Sequence, residues 1–246
     1  MNWDQIVKEV SPYIVKIETP SGSGTGFLFA FNEDKSLCGI ATALHVIGDA
    51  DTWQQPIKIH SKDFAKTAFL KETQRFISRE AGTDSAVILL DPSNLDLPQV
   101  LIPLRPLETP ISIGGEVGML GFPAIAPYTL CFFAGAVSAR TNTKGYFIDG
   151  VAINGVSGGP VVTVNEAGQT QFVGIVSAYR ANRATGEALP GLLIAQDMSH
   201  FHDIIAQIKT LDEAKKIRAE AEAKKKKEEA ENQTSRPVSS VETSLS

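Results

Sequence analysis

Gly155-Val156-Ser157-Gly158-Gly159-Pro160, set between the apolar runs Tyr146-Phe147-Ile148 and Val161-Val162, is the stretch on which the reading of this chain turns. Glycines on both sides of a serine let the backbone turn sharply, because a residue without a Cβ reaches φ values that others avoid. Such a turn can present a hydroxyl and aim N–H groups at one point. Acyl transfer needs that geometry: a nucleophile beside donors placed where negative charge develops on the carbonyl oxygen. Ser-Gly-Gly-Pro is also ordinary loop chemistry, so the chain around it has to decide between the two readings.

Upstream and downstream the texture is that of short strands. Residues 2–10 place Trp3, Ile6, Val7 and Val10 at helical spacing, and Ser11-Pro12 ends them, which predicts a short amphipathic N-terminal helix. From Tyr13 the pattern changes to β-rich runs separated by turn residues: 13–18, 26–31, 39–46, 56–59, 65–70, 85–90 and 100–104, then 116–120, 130–139, 145–153, 160–164, 172–178 and 191–195. Many short strands with few helices argue for closed barrels or sandwiches rather than a parallel α/β sheet. Pro106 and Pro110 mark a connector between two halves. From about Asp197, Phe201, Ile204, Ile205, Ile208, Leu211 and Ile217 recur at near-helical spacing, predicting a C-terminal helix over 201–231. Its last part, from Arg218 to Glu231, is Ala, Glu, Lys and Arg with no large apolar residue, a solvated helix unable to bury a face of its own. Residues 232–246, rich in Ser and Thr, read as a disordered tail.

Composition narrows the function classes. The chain has 246 residues, 43% hydrophobic and 21% charged, enough to bury a substantial core, and its net charge of −5 gives no support for nucleic-acid binding. No apolar run approaches the ~20 residues of a spanning helix, and the N-terminus does not read as a secretory signal, so no membrane partner is expected. Cys38 and Cys131 lie far apart and form no metal-spaced set; two reduced thiols point to a reducing, cytoplasmic interior. His45, His60, His200 and His202 make no metal site, since residues two apart on a helix face different directions, and no cofactor is called for.

A serine hydroxyl is a poor nucleophile until a histidine takes its proton and a carboxylate holds the imidazole in the useful tautomer. Ile40-Ala41-Thr42-Ala43-Leu44-His45-Val46 puts a histidine at the end of an apolar run, and Gly82-Thr83-Asp84-Ser85-Ala86-Val87-Ile88 puts an aspartate at the start of a strand. Alone, each has a plain structural reading; in the order His, Asp, Ser, each at a strand edge, they form a candidate triad.

Those three segments resemble the catalytic motifs of trypsin-like serine peptidases, with a chymotrypsin-type fold. Gly22-Ser23-Gly24-Thr25-Gly26-Phe27, Gly121-Phe122-Pro123, Gly135-Ala136-Val137-Ser138 and Asp149 are similar in style to the HtrA-like (DegP-like) branch. The resemblance spans about residues 11–197 and leaves no room after it for the PDZ domain that the branch often carries. It implies an all-β fold of two six-stranded antiparallel barrels, the first about 11–105 and the second about 112–197, within a peptidase domain over 1–200 that has short N- and C-terminal helices. It also implies Ser157 as nucleophile, His45 as general base and then acid, Asp84 as orienting carboxylate, and the backbone N–H groups of Gly155 and Ser157 as oxyanion hole. Carried over in the same way, Val151 falls at the floor of the S1 pocket. Asn154, Ser177 and Tyr179 line the substrate, Tyr179 narrowing the pocket where others carry glycine. The implied partner is a protein or peptide substrate cleaved after a small or medium apolar P1 residue.

Two departures from the family pattern bear on activation. Val156 stands where zymogen-activated trypsins have an aspartate that pairs with a newly cut N-terminus, which excludes that route. The chain reads Ile153-Asn154-Gly155-Val156-Ser157, not the Asn-Pro-Gly-Asn-Ser run common in the HtrA-like branch. Beside the peptidase reading stand a non-catalytic peptide-binding module on the same fold and, for the charged tail, a helix that recruits a partner or mediates self-association.

Overall fold

The computed structural model describes residues 1–151, 153–181 and 188–234; the tail from 235 lies outside the described residues, as do the side chains of 178–181, 188–190 and 229–234. Helix α1 (Trp3–Val10) opens the chain, capped by the Asn2 side chain on the Gln5 amide and burying Ile6 and Val10. A first sheet follows, built from β1 (Ile14–Thr19), β2 (Gly22–Phe31), β3 (Cys38–Ala43), β4 (Ile57–Ser61), β5 (Thr67–Leu70), β6 (Arg75–Glu80) and β7 (Ser85–Leu90), with helix α2 (Leu44–Thr52) between β3 and β4. The second half holds β8 (Glu116–Gly121), β9 (Cys131–Thr141), β10 (Gly145–Asp149), β11 (Pro160–Val164), β12 (Thr170–Ala181) and β13 (Ala188–Gln196), and the chain runs into α3 (Ser199–Thr234).

The all-β, two-barrel architecture is as expected, with differences inside it. The second sheet is a closed barrel of six strands, β10-β13-β12-β11-β8-β9. The first has seven strands rather than six, ordered β5-β4-β1-β2-β3-β7-β6. Its two edge strands are consecutive in the chain and joined by a single 3-10 turn, so the sheet curls back on itself. Arg75 clasps that seam, its guanidinium donating to the carbonyls of Leu70, Ala50 and Gln55. β6 goes unforeseen because Arg75, Arg79 and Glu80 blur the alternation that identifies a strand, as is usual at an edge. Residues 100–104 form no strand; only Leu104 makes an isolated bridge, to Phe172. The run 39–46 is cut short as well: β3 ends at Ala43 and α2 begins at Leu44.

One apolar cluster crosses between the halves. It joins Phe27, Phe29 and Ile40 of the first sheet to Phe122, Val162, Phe172 and Ile175 of the second, and takes in Phe201, Ile204 and Ile208 of α3. Phe27 and Phe172 meet with ring centroids 4.5 Å apart. A smaller cluster, with Val117, Met119, Ile148, Val156 and Val161, fills the closed barrel. Neither cysteine is paired; Cys38 is buried, which pushes its thiol up to about 12, and Cys131 is half-buried.

Candidate functional site

The Asp84 carboxylate organises the site. Asp84 sits just before β7 in left-handed backbone (φ 47, ψ 38), which aspartate tolerates better than most residues. Across the sheet β7 pairs with β3, bringing Ser85 opposite Ala43. Helix α2 starts there without a cap of its own, since its N-cap residue is Ala43. Asp84 supplies one instead: its carbonyl accepts from Leu44 N at 2.9 Å and its Oδ1 from His45 N at 3.0 Å. These amides are among the donors that the first turn of a helix leaves unpaired. The other oxygen, Oδ2, accepts from His45 Nδ1 at 2.8 Å. His45 therefore lies in the first turn of a helix rather than at the end of a strand, and the residue that caps the helix also orients the ring.

The serine turn is attached to β12. Gly158 N donates to Val176 O at 2.7 Å and Val176 N to Gly159 O at 2.9 Å, extending the β11–β12 ladder into the loop. Two glycines are required by geometry. Gly155 has φ 93 and Gly158 φ 82, and a Cβ on Gly158 would lie 2.2 Å from both Thr25 O and Thr42 Oγ1. This close approach seats the turn of the half-buried Ser157 against β2 and the end of β3, the strand that leads to His45. Val156 is 1% exposed and packs into the core of the closed barrel, not toward any charge.

Ser177 connects the parts. Buried on β12, it donates from Oγ to Asp84 Oδ2 at 2.6 Å, and its carbonyl accepts from Ser157 Oγ at 3.4 Å. The serine hydroxyl is thus turned to the Ser177 carbonyl and not to the imidazole. Burial pushes the Asp84 carboxyl up, but hydrogen bonds from the His45 ring, the Ser177 hydroxyl and the His45 amide outweigh it, and the net shift is downward. Asp84 is an anion at neutral pH.

The other expected site residues are placed less evenly. Asn154 is exposed, with its carbonyl accepting from Ala124 N at 2.7 Å. Because the peptide unit is planar and trans, the Gly155 N–H points the opposite way, off the 122–124 loop. Val151 is 50% exposed just past β10, where Gly150 N donates to Gly191 O. The Tyr179 side chain lies outside the described residues; its backbone pairs with Leu193. Ser177 was expected along the substrate; its side chain serves Asp84, and its carbonyl faces the Ser157 hydroxyl. Sequence reasoning gave Thr25 no role of its own, although the Gly24-Thr25-Gly26-Phe27 motif contained it. A groove of 680 Å³ lined by Arg105, Ile111, Glu116 and Thr163 among others includes none of the site residues. No metal-binding cluster occurs among the described residues.

Two such sheets meeting around a serine turn define a class, the double-barrel serine hydrolases. Within it the chain belongs to the trypsin-like peptidase domain family, whose model matches residues 24–175. The family is one of serine endopeptidases, and the chain is a hydrolase of that kind. Among solved structures, Rv3671c from M. tuberculosis H37Rv, in an inactive serine-to-alanine form, matches at a TM-score of 0.56 and 18% identity, over 82% of this chain and 89% of its own. The serine endoprotease from Yersinia pestis matches at 0.59 and 22% identity, over 85% of this chain and 66% of its own. At these identities the likeness is one of fold. No curated protein matches.

Proposed function

We propose that Ser157, His45 and Asp84 form a catalytic triad that hydrolyses peptide bonds through an acyl-enzyme. The observation that carries this reading is the 2.8 Å bond between His45 Nδ1 and Asp84 Oδ2, with Ser157 one hydrogen-bonded residue away. With Nδ1–H donated to the carboxylate, Nε2 keeps its lone pair. The Ser157 hydroxyl swings from the Ser177 carbonyl to Nε2 and gives up its proton as Oγ attacks the scissile carbonyl carbon. The N–H groups of Gly155 and Ser157 receive the oxyanion; the imidazolium then protonates the leaving amine, and water repeats the sequence to release the acid.

The substrate is a protein or peptide. Val151, apolar and half-exposed, offers no partner for Lys or Arg, so cleavage follows a small or medium apolar P1 residue, with Asn154 and Tyr179 alongside. Peptide-library profiling that returned Arg or Lys would overturn this preference. The peptidase unit occupies 1–200, with 201–231 an attached helix open to partners or self-association; the same number of subunits by light scattering for the full chain and one ending near Ile208 would remove self-association through the helix. A cytoplasmic location fits the unpaired cysteines, and no described helix is long and apolar enough to cross a membrane.

The test is covalent labelling by a fluorophosphonate. Wild type reacts and Ser157→Ala does not, while His45→Ala slows turnover by several orders of magnitude. The 3.4 Å contact of the hydroxyl with Ser177 favours a second reading, a peptide-binding module without chemistry; no labelling of wild type, or labelling unchanged in Ser157→Ala, selects it.

A further inference from the structure

Among the described residues no ion pair holds the turn carrying Gly155 and Ser157, and Val156 is buried among apolar side chains. Something else must fix two peptide planes. The first, Asn154–Gly155, is fixed by Ala124 N on the Asn154 carbonyl. The second, Gly155–Val156, which links the two donor residues, is bonded locally from Val156 N to Ile153 O at 3.2 Å and, on its carbonyl side, from the other barrel. Thr25 on β2, fully buried, donates from Oγ1 to the Gly155 carbonyl at 2.8 Å. The same hydroxyl accepts from Phe122 N at 3.0 Å. Its amide donates to Ser157 O at 2.9 Å, and its carbonyl accepts from Thr42 Oγ1 at 2.8 Å. One residue therefore ties three segments together: its side chain joins the serine turn to the loop after β8 that also supplies Ala124, and its backbone joins the turn to the strand leading to His45.

We propose that Thr25 is a positioning residue for the oxyanion turn, its hydroxyl locking the Gly155 peptide so that the turn is set in its working orientation without proteolytic activation. This rests on the triad reading above. The physical reason is the cost of an unmet polar group. If the turn rotated away, the Gly155 carbonyl would lose its donor and the Thr25 hydroxyl its acceptor in a site closed to water, and buried groups left unpaired are strongly disfavoured. Thr25 also suits the position sterically, since a Cβ on Gly121 would already lie 2.8 Å from Oγ1 and 3.0 Å from Val156. The hydroxyl sits in a packed junction where threonine's second branch, the methyl, holds its rotamer.

The experiment compares Thr25→Val, which keeps the shape and removes the hydroxyl, with Thr25→Ser, which keeps the hydroxyl and removes the methyl. Expected for Thr25→Val is a fall in kcat of about 10- to 100-fold with KM within about threefold, short of the ~100- to 1000-fold for losing an oxyanion donor outright. Affinity for a peptide boronic acid, which mimics the tetrahedral state, should fall in parallel, while affinity for a product peptide stays level. Thr25→Ser should stay within about threefold of wild type. Hydrogen exchange of the segment 153–159 supplies a readout independent of activity: faster in Thr25→Val, near wild type in Thr25→Ser. Should Thr25→Val fail to fold, Thr25→Ala, which leaves space for a bridging water, takes its place with the same directions. Wild-type kinetics and exchange in the hydroxyl-free variant overturn the proposal, as does Thr25→Ser impaired as deeply as Thr25→Val. Failure of the triad reading looks different: wild type unlabelled by the fluorophosphonate, whatever the exchange of the turn.

Discussion

The two carboxylate oxygens of Asp84 serve different partners, one the His45 amide in the first turn of α2 and the other the His45 ring, and substitutions can separate the two duties. Asp84→Asn keeps an oxygen for the helix cap, but its amide cannot favour the Nδ1–H tautomer; kcat is expected to fall about 10⁴-fold with the midpoint of urea unfolding nearly unchanged. Asp84→Ala loses both, and the same unfolding measurement should show a further loss of about 1 kcal/mol. Gly158→Ala is a purely steric case. With φ 82 and a Cβ 2.2 Å from the Thr25 carbonyl, the variant must displace backbone, and we expect at least 1–3 kcal/mol of destabilisation together with loss of labelling at Ser157. The motif predicted a glycine here; the reason, a strand of the other barrel lying against it, is a tertiary fact.

At the scale of elements, the loop between β8 and β9 rests on the first sheet through an unusual set of contacts. Lys16, on β1, is 3% exposed; its ammonium pairs with Glu18 Oε1 at 2.7 Å and lies 4.5 Å from the Tyr128 ring centroid. Phe64 packs edge-on against both Phe122 and Tyr128, and His60 bonds Glu18 and Thr67. The hydrogen bond from Lys16 holds the Glu18 carboxyl below its ordinary range; burial opposes this, and the bond from His60 adds to it. A carboxyl whose pKa is depressed by folding contributes stability that is present above its unfolded pKa and lost as pH falls through the folded one. Glu18→Gln, which leaves the Lys16 ammonium buried without its counter-charge, should therefore cost about 1–3 kcal/mol at pH 7, with the difference from wild type shrinking as the pH drops below the usual carboxylate range. Urea titrations at neutral and acid pH check the sign; a difference that grew on acidification would contradict it. None of this cluster was visible as a unit in the sequence, because its members come from three separated stretches, each unremarkable alone.

For the molecule as a whole, the shared core argues that the two halves unfold together. Phe172 of β12 meets Phe27 and Tyr13 from the first half, and Phe201 of α3 lies against Phe29 with centroids 5.2 Å apart. Phe172→Ala and Phe201→Ala should each cost about 3–5 kcal/mol, and calorimetric and van't Hoff enthalpies should agree in wild type. The distal half of α3 behaves otherwise. Lys216 pairs with Glu33, an exposed pair of the kind worth little, and the residues beyond it are exposed through 228, so removing residues 219–246 should leave the melting temperature within about 2 °C.

Local patterning was sufficient for the strands of the closed barrel, for α1, for the course of α3 and for the order His45, Asp84, Ser157, because alternation, helical spacing and glycine turns are properties of neighbouring residues. It missed β6, where Arg75, Arg79 and Glu80 blur the alternation of an edge strand, and it extended β3 through His45, because the cap that starts α2 comes from Asp84, 39 residues away. It likewise left Ser177 as a substrate contact and Thr25 without a role. Which carboxylate caps which helix, which hydroxyl reaches Asp84, and what holds a serine turn that has valine in place of a charge are decided by contacts between strands far apart in the chain: the pairing of β3 with β7 decides the first, and the packing of one barrel on the other brings the rest within hydrogen-bond distance.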